Sequence, residues 1–304
     1  MVTEMGLIRI GIHTSRSGSL ENAAIRAQRL GANTFQIFSA NPRQWCAGAL
    51  DLDDIWRFQA ARNKFDLYPL AIHANYLINL ASPDALIRRN SIFAFRGELE
   101  RAALIGAEYL VAHPGSYRLS TAEEGIAAFV LGAVEAAQGL NLGGVTLLIE
   151  NTVGAGAQLG GKFSELRAMR DLFLQLADMR VGYCLDTCHL FASGFDISTA
   201  SGLAETIIQA DEALGLEHVK VIHTNDSKGA LGSRLDRHAN IGEGNIGEEG
   251  FGRILRHPKL REKPFILETP VDEEGDDRRD LETLRHLASP KGRKKERHVS
   301  RQDG

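Results

Sequence analysis

The chain has 304 residues, 43% of them hydrophobic and 24% charged, with a formal net charge of −4 at pH 7. This composition is typical of a globular protein with a large core, and the bulk charge gives no indication of nucleic-acid binding. No basic stretch precedes an apolar core at the N-terminus, and no apolar run approaches roughly 18 residues, so neither secretion nor membrane insertion is expected. Three cysteines cannot all pair, which favours a reducing interior, and we expect a cytoplasmic protein.

Eight short apolar segments alternate with helix-patterned segments along the chain. In order they are IRIGIHTS, TFQIFSA, LYPLAIHANY, YLVAHPGS, VTLLIENT, VGYCLDTCH, VKVIHTNDS and PFILETP. Residues 84–106 and 163–179, which lie between strands, repeat their apolar side chains with helical periodicity. Because strands that are apolar on both faces are typical of a parallel sheet, we predict an α/β fold, a single (βα)8 TIM barrel over residues 1–288. An open doubly wound sheet is the alternative, which the lack of a glycine-rich first turn disfavours.

Two segments depart from this alternation. Residues 228–249 are rich in glycine and charged residues and are too long for a simple connection, and loops of that length are usually functional or disordered. Residues 289–304 carry six Lys or Arg against two acidic residues and show no apolar periodicity. We predict a disordered basic tail there, which would add weak non-specific affinity for polyanions.

Ionisable residues end six of the predicted strands: His73, His113, Glu150, Asp186, His223 and Glu268. In a barrel the carboxyl ends of the strands meet at the mouth where active sites form, so these side chains should converge. One such residue is more often a cap or a hydrogen-bond partner, but six drawn only from His, Asp and Glu predict a metal site. His13, at the end of the first strand, is expected to hydrogen-bond inside the barrel rather than to bind metal.

The segment VGYCLDTCHLFASGFD offers cysteines as well as Asp186 and His189 as ligands. A zinc site built on cysteine usually contains a Cys-x-x-Cys pair. Here Cys184 and Cys188 have three residues between them, and Cys46 lies far away in the sequence. We therefore interpret Cys184 and Cys188 as small buried packing residues, and Asp186 and His189 as the ligands.

A further pair of candidate ligands lies in the long loop. Asp236 and His238 are two apart, so in an extended segment they point to the same side, and with His189 they would make a third site. The set of five histidines and four carboxylates suits zinc and tolerates Mn²⁺ or Fe²⁺. Glu150 is the candidate bridge between two metals, a geometry used for displacement at phosphorus. Three divalent ions (+6) against four carboxylates (−4) leave a local charge of +2, which would attract phosphate.

Seven motifs resemble the signatures of the endonuclease IV family, the trinuclear zinc apurinic/apyrimidinic endonucleases. They are HANYLINLAS, HPGSY, LIENTVGAG, CLDTCHLFASGFD, IHTNDSK, GSRLDRHANIGEGNIG and LETP. The resemblance runs from about residue 11 to residue 270, in the order of the family. All nine ligand positions of the family are filled here with the expected residue types.

The resemblance implies three zinc ions per chain and a place for each ligand. The three ligand sets are His73, His113 and Glu150; Glu150, Asp186, His223 and Glu268; and His189, Asp236 and His238. A bridging hydroxide would attack the phosphate 5′ to an abasic sugar, leaving a 3′-hydroxyl and a 5′-deoxyribose phosphate. Glu150 and Glu268 would be the catalytic residues, and removal of 3′-blocking groups is expected as well.

The resemblance also implies DNA contacts in two loops. The matching loop of the family, NPRQW in this chain, enters the minor groove beside the lesion, so Arg43 and Gln44 would fill the gap left by the extruded sugar. Tyr76 resembles the other loop residue at the lesion. Without the resemblance, Arg43 would be interpreted as a solvated loop charge. Pro42, which fixes one backbone angle, departs slightly from the family pattern.

Two other classes of function compete with this interpretation. A sugar isomerase or epimerase shares the expected fold but needs a single metal, and it would leave His189, Asp236 and His238 without a role. A non-catalytic DNA- or metal-binding protein would be marked by a lost ligand, and none is lost. We expect a monomer that acts on double-stranded DNA containing abasic sites and has no membrane partner.

Overall fold

Eight parallel strands close into a barrel in the computed structural model, which describes residues 7–289. They are β1 (Ile10–His13), β2 (Thr34–Phe38), β3 (Leu70–His73), β4 (Tyr109–Ala112), β5 (Thr146–Glu150), β6 (Val181–Asp186), β7 (Val219–His223) and β10 (Phe265–Leu267). Each lies within one of the eight predicted segments. Ile10 of β1 pairs with Phe265 of β10, which closes the sheet and excludes the doubly wound alternative.

Helices follow the strands and surround the barrel. They are α1 (Leu20–Arg29), α2 (Leu52–Phe65), α3 (Ala85–Ile105), α4 (Ala122–Ala137), α5 (Phe163–Leu176), α6 (Thr187–Ser193), α7 (Ala200–Leu214), α8 (Gly247–Arg256) and α9 (Asp276–Ala288). The predicted bounds of α3 are confirmed, because the Asp84 side chain accepts the backbone N–H of Leu86 and Ile87, and Gly106 ends the helix at φ 76°. Helix α5 stops earlier than predicted, since Ala177 is extended.

The apolar side chains form two separate cores. A large core lies between the strands and the surrounding helices, and a smaller one fills the barrel interior. Strand β5 shows the division, because Leu148 points into the barrel while Leu147 and Ile149 belong to the outer core. This alternation explains why the strands are apolar on both faces.

The long connection after β7 is ordered. It begins with β8 (Asp226–Ser227), which pairs antiparallel with β9 (His238–Ala239), and it leads into α8. Among the helices within residues 7–289, none is both long enough and apolar enough to cross a membrane. The predicted basic tail lies outside the described residues, apart from Ser289.

Candidate metal centre

The barrel interior explains how six candidate ligands reach one place. The interior core consists of Ala71, Val111, Leu148, Cys184, Val221 and Ile266, one from each of six strands. The residues two positions later are His73, His113, Glu150, Asp186, His223 and Glu268. Because side chains alternate along a strand, each polar residue lies on the interior face, one layer above its apolar neighbour. The six predicted strand-end residues are therefore brought together at the mouth.

Glu150 lies at the centre of this layer and is fully buried. Its Oε2 atom is 3.1 Å from His73 Nε2 and 3.5 Å from His113 Nε2. Its Oε1 atom is 2.9 Å from His223 Nδ1 and 3.6 Å from His189 Nδ1. The two oxygen atoms of one carboxylate thus face different histidines, as a bridging ligand would.

Among residues 7–289, five groups of donor atoms could hold a metal; three match the predicted sets, and the other two place Cys184 with Glu150 and His223, and Cys188 with Asp186 and His238. Within each group the atoms lie within 4.8 Å of one another: His73, His113 and Glu150; Glu150, Asp186, His223 and Glu268; and His189, Asp236 and His238. In the third group, Asp236 Oδ1 is 3.3 Å from His189 Nε2 and 3.4 Å from His238 Nε2. His189 lies in α6, and the other two come from the long connection. The structure therefore assembles all nine candidate ligands.

Three of the histidines are oriented by backbone carbonyl groups. The Nδ1 atom of His73 is 2.7 Å from its neighbouring carbonyl at Ala74, and that of His189 is 3.0 Å from the carbonyl of Asn151. His238 Nδ1 lies 3.2 Å from the carbonyl of Glu268. Because a carbonyl only accepts, each Nδ1 atom donates, so Nε2 is the nitrogen atom that can bind a metal once the ring gives up its second proton. This is the usual arrangement of a metal-binding histidine.

Among the buried side-chain atoms without a hydrogen-bond partner within residues 7–289, two nitrogen atoms belong to the centre, His113 Nδ1 and His238 Nε2. A buried polar atom without a hydrogen-bond partner lowers the stability of the folded state, so each such atom in a native structure needs a physical explanation. Burial lowers the pKa of His113, so its ring is the neutral form that binds metal. Together with the imidazole and carboxylate donor set, these atoms fit zinc or a similar divalent ion.

The carboxylates of the centre are held in the ionised form. Burial alone would raise the pKa of Glu150, but the neighbouring His113 and His223 hold it well below its usual range. Burial also opposes ionisation of Glu268, and His223 again outweighs it, so the pKa is lowered. Both groups are therefore charged at neutral pH and available to a cation.

The same electrostatics act on the histidines. Burial would lower the pKa of His189, but Asp186 and Asp236 raise it to about 10. The pKa of His73 is also raised, because the hydrogen bond and charge of Glu150 outweigh its burial. The centre thus stabilises positive charge in a buried place, which is what a metal site requires.

Amide side chains that the sequence analysis missed support the ligands. The amide nitrogen of Gln36, which is buried in β2, donates to Glu268 Oε1 at 2.6 Å. The amide oxygen of Gln36 lies 2.9 Å from His223 Nε2. The amide nitrogen also lies 3.1 Å from His13 Nδ1, so His13 makes the interior hydrogen bond expected of it. Asn225 donates to Asp186 Oδ2 at 2.6 Å. In the sequence, the feature that could have identified Gln36 and Asn225 was a polar residue inside an apolar strand or shortly after it.

The two predicted DNA-contact loops lie at the edge of the centre and hold each other. Tyr76 donates its backbone N–H to the carbonyl of Pro42 at 3.1 Å, and the Asn75 side chain donates to the carbonyl of Gln44 at 2.7 Å. Arg43 and Gln44 are exposed, and 63% of Tyr76 is exposed. The rim of the centre therefore presents a cation, an amide and an aromatic ring to solvent.

Tyr76 also lines a cavity of about 350 Å³ over the candidate ligands. A second cavity of about 870 Å³ adjoins it, lined by Gln44 and by Ser15 and Arg16 of the loop after β1. The two cavities share His13 and Phe38. The two adjoining cavities therefore extend from the loop residue Gln44 to the candidate ligands Asp236 and Glu268.

Comparison with known proteins identifies the family. A family model described as a xylose isomerase-like TIM barrel matches residues 25–289. A relative from Solibacter usitatus named "Probable endonuclease 4" is 62% identical over 284 residues, 93% of this chain and 98% of the relative. The chain belongs to the endonuclease IV family.

A solved endonuclease IV structure shares the barrel with this chain. The crystal structure of endonuclease IV from Thermus thermophilus superposes with a TM-score of 0.80 at 38% identity, and the match covers 92% of this chain and 98% of that one. A D-tagatose 3-epimerase-like protein reaches a TM-score of 0.66 at 20% identity, over 92% and 97% of the two chains, and shares the fold alone. The prediction of a nuclease, a hydrolase, is confirmed over the sugar isomerase alternative.

The cysteines of this endonuclease IV chain at positions 184 and 188 are both buried and free. Burial raises the pKa of Cys184 and of Cys188 to about 12, so both stay neutral thiols, whereas the thiolate is the metal ligand. Cys184 belongs to the interior apolar layer, but its sulfur also lies within 4.8 Å of donor atoms of Glu150 and His223. The packing role of both cysteines stays a prediction.

The variant Cys184→Ala tests that role. Loss of one buried sulfur should lower the free energy of unfolding by about 1 kcal/mol, while the metal content of the purified protein stays unchanged. Urea unfolding and elemental analysis measure the two quantities. Loss of one metal ion per chain would instead make Cys184 a ligand.

Proposed function

We propose that the protein is a DNA repair endonuclease that hydrolyses the phosphodiester bond 5′ to an abasic site and also removes 3′-blocking groups. The observation that carries this proposal is the assembly of three neighbouring donor groups, two of which share Glu150, in a chain of the endonuclease IV family. The products would be a 3′-hydroxyl and a 5′-deoxyribose phosphate. The substrate would be double-stranded DNA, and a monomer in the cytoplasm stays our prediction.

Three zinc ions would occupy the three donor groups, and Mn²⁺ or Fe²⁺ would be tolerated in some of them. The ligands would be His73, His113, Glu150, Asp186, His189, His223, Asp236, His238 and Glu268. When bound, divalent metals supply Lewis-acid polarisation of a phosphodiester and a nucleophile at neutral pH. The nine donors include the exposed Asp236, for which a single-metal isomerase has no use, and no ligand position is lost, as it would be in a non-catalytic DNA- or metal-binding protein.

Glu150 and Glu268 would act as the catalytic carboxylates. Both are ionised, and both lie in the layer above the apolar barrel interior, where a low dielectric strengthens their interaction with cations. Gln36 holds Glu268 through its amide, so the carboxylate has one orientation before substrate arrives. Positioned charge of this kind stabilises a transition state without reorganisation during the reaction.

Arg43, Gln44 and Tyr76 would hold the DNA around the lesion. All three are exposed at the rim, and their loops are joined by one backbone hydrogen bond and one from the Asn75 side chain, so they form one edge. A nucleotide that lacks its base is extruded from the duplex at least cost, and the rim side chains would occupy the space it leaves. A cation among them would also contact phosphate.

The variant Arg43→Ala should weaken the binding of abasic DNA roughly tenfold, mainly through KM, and lower the salt dependence of binding. Steady-state kinetics on a duplex with one abasic site measure KM and kcat. Arg180→Ala is the matched control, because Arg180 is an exposed arginine directly before β6, at the opposite end of the barrel. An equal change in both variants would contradict a specific role for Arg43.

The proposed function is tested by strand cleavage. A labelled duplex with one abasic site and an intact duplex of the same sequence are incubated with protein purified without added metal. A single cut 5′ to the lesion, with a 3′-hydroxyl end that a polymerase extends, is the expected result. A third duplex with a 3′-phosphate end tests removal of blocking groups. Tight binding of abasic DNA without cleavage, even after zinc or manganese is supplied, would indicate a non-catalytic binding protein.

A further inference from the structure

Asp226 is a fully buried carboxylate that accepts an unusual number of backbone hydrogen bonds. Its Oδ1 atom accepts the N–H groups of Ser227 at 2.8 Å and Ile246 at 2.9 Å, and its Oδ2 atom those of Gly242 at 3.0 Å, Gly244 at 3.1 Å and Gly247 at 3.2 Å. A buried charge is tolerated when hydrogen bonds replace water, and five N–H groups do so here. The backbone of residues 242–247 is therefore wrapped around one side chain.

This contact explains the glycine pattern of the motif NIGEGNIG. Gly242 and Gly247 adopt φ values of 88° and 71°, which side chains rarely allow. A Cβ atom at Gly244 would lie 2.5 Å from Asp226 Oδ1 and 2.6 Å from the carbonyl oxygen of Ser227. Gly244 is thus required by the close approach of the backbone to Asp226, and Gly242 and Gly247 by their backbone conformation.

Asp226 also lies next to the strand pair that carries His238. In the pairing of β8 with β9, Asp226 is opposite Ala239 and Ser227 is opposite His238. We define the β8–α8 arm as residues 228–247. The arm leaves β8 at residue 228 and returns to it twice, first through the strand pair at His238–Ala239 and then through the contacts of residues 242–247 with the Asp226 carboxylate. Asp236 lies in the loop between β8 and β9, and His238 lies in β9 itself.

We propose that Asp226 is a positioning residue that holds the β8–α8 arm in place and thereby presents Asp236 and His238 to the third donor group. This inference rests on the proposed function, because it assigns a purpose to that group. Mutation of an outer-shell group that orients metal ligands typically lowers metal affinity or activity by about 10- to 100-fold. Asp226 itself contacts neither ligand and is not a catalytic residue.

Asp226→Asn is the direct test, since the amide keeps the shape but turns one acceptor into a donor that faces backbone N–H groups. Metal is counted by elemental analysis after dialysis, and its release to a chromogenic chelator is timed. The wild-type protein should keep about three ions and the variant about two, with release of the third at least tenfold faster. On abasic DNA kcat should fall at least tenfold with KM nearly unchanged, and excess zinc should restore kcat because both ligands remain.

Asp84→Asn is the matched control, because Asp84 also accepts two backbone N–H groups but at the start of α3. It should keep metal count, release rate and kcat at wild-type values. Gly244→Ala is a second route to the same effect, since its Cβ displaces the arm while the carboxylate is intact, and Gly144→Ala, whose Cβ would meet only Arg180 Nη1 at 3.9 Å, is its control. Gly244→Ala also serves if Asp226→Asn fails to fold.

Metal count and release rate equal to wild type in folded Asp226→Asn and Gly244→Ala would overturn the inference. Failure of the proposed function has a different signature. In that case wild-type protein would not cut abasic DNA at all, while the difference in metal release between variant and wild type would still decide whether Asp226 positions the arm.

Discussion

Glu150→Gln should reduce abasic-site cleavage by roughly 10³-fold or more and remove metal from two donor groups at once. The reason is the central place of Glu150, whose two oxygen atoms lie within 3.6 Å of four histidines. Glutamine preserves the shape of the side chain but removes its charge and replaces one oxygen by a donor. Single-turnover kinetics and elemental analysis measure the loss of activity and of metal.

The control for Glu150→Gln is Glu108→Gln. Glu108 is also a structured carboxylate, since it lies 2.7 Å from Arg62 Nη2 and accepts the N–H of Leu70 at 2.7 Å, but it precedes β4 at the opposite end of the barrel. This variant should lose some stability and keep full metal content and activity per folded molecule. If Glu150→Gln likewise kept its metal, Glu150 could not be a bridging ligand.

Removal of metal should abolish cleavage and lower the thermal stability of the protein. A ligand that binds only the folded state stabilises it, by about 2.7 kcal/mol when present at 100 times its dissociation constant. In a chain of this size that corresponds to roughly 5 °C in Tm for each such site. The barrel should remain folded, because its two apolar cores contain none of the candidate ligands.

Dialysis against a chelator, calorimetry and circular dichroism test this expectation, and addition of zinc should restore both activity and Tm. Chelator-treated Glu150→Gln is the matched comparison, since it has less metal to lose and its Tm should fall less. A chelator-treated wild type that cuts abasic DNA at the original rate would contradict metal-dependent catalysis.

The sequence alone was sufficient for the barrel and for the convergence of the six strand-end candidate ligands, because both follow from local rules. Side chains two positions apart in a strand lie on the same face. The polar residue that ends a strand therefore shares the interior face with the apolar residue two positions earlier, as His73 does with Ala71 and Glu150 with Leu148. Parallel strands of a closed barrel end at one mouth, so residues far apart in the chain meet there. That prediction did not require knowledge of which strands are neighbours in the sheet.

Other parts of the centre were decided by tertiary contacts. The long connection was predicted as functional or disordered, and it is ordered because Asp226 binds the backbone of distant glycines. The sequence analysis did not select Gln36, which lies inside an apolar strand. Its role in orienting Glu268 depends on a hydrogen bond to that residue, which follows the last strand of the barrel. Such hydrogen bonds join residues that are distant in sequence, and no local pattern encodes their partners.

The sequence by itself determined the fold class, the family and the chemical character of the centre, since these depend on periodicity and on residue types at strand ends. Only the tertiary structure decided which oxygen of Glu150 faces which histidine and which carbonyl orients His189. The physical reason is that hydrogen bonds and ion pairs depend on distances of a few ångströms between elements. Those distances are set by the packing of the closed barrel as a whole.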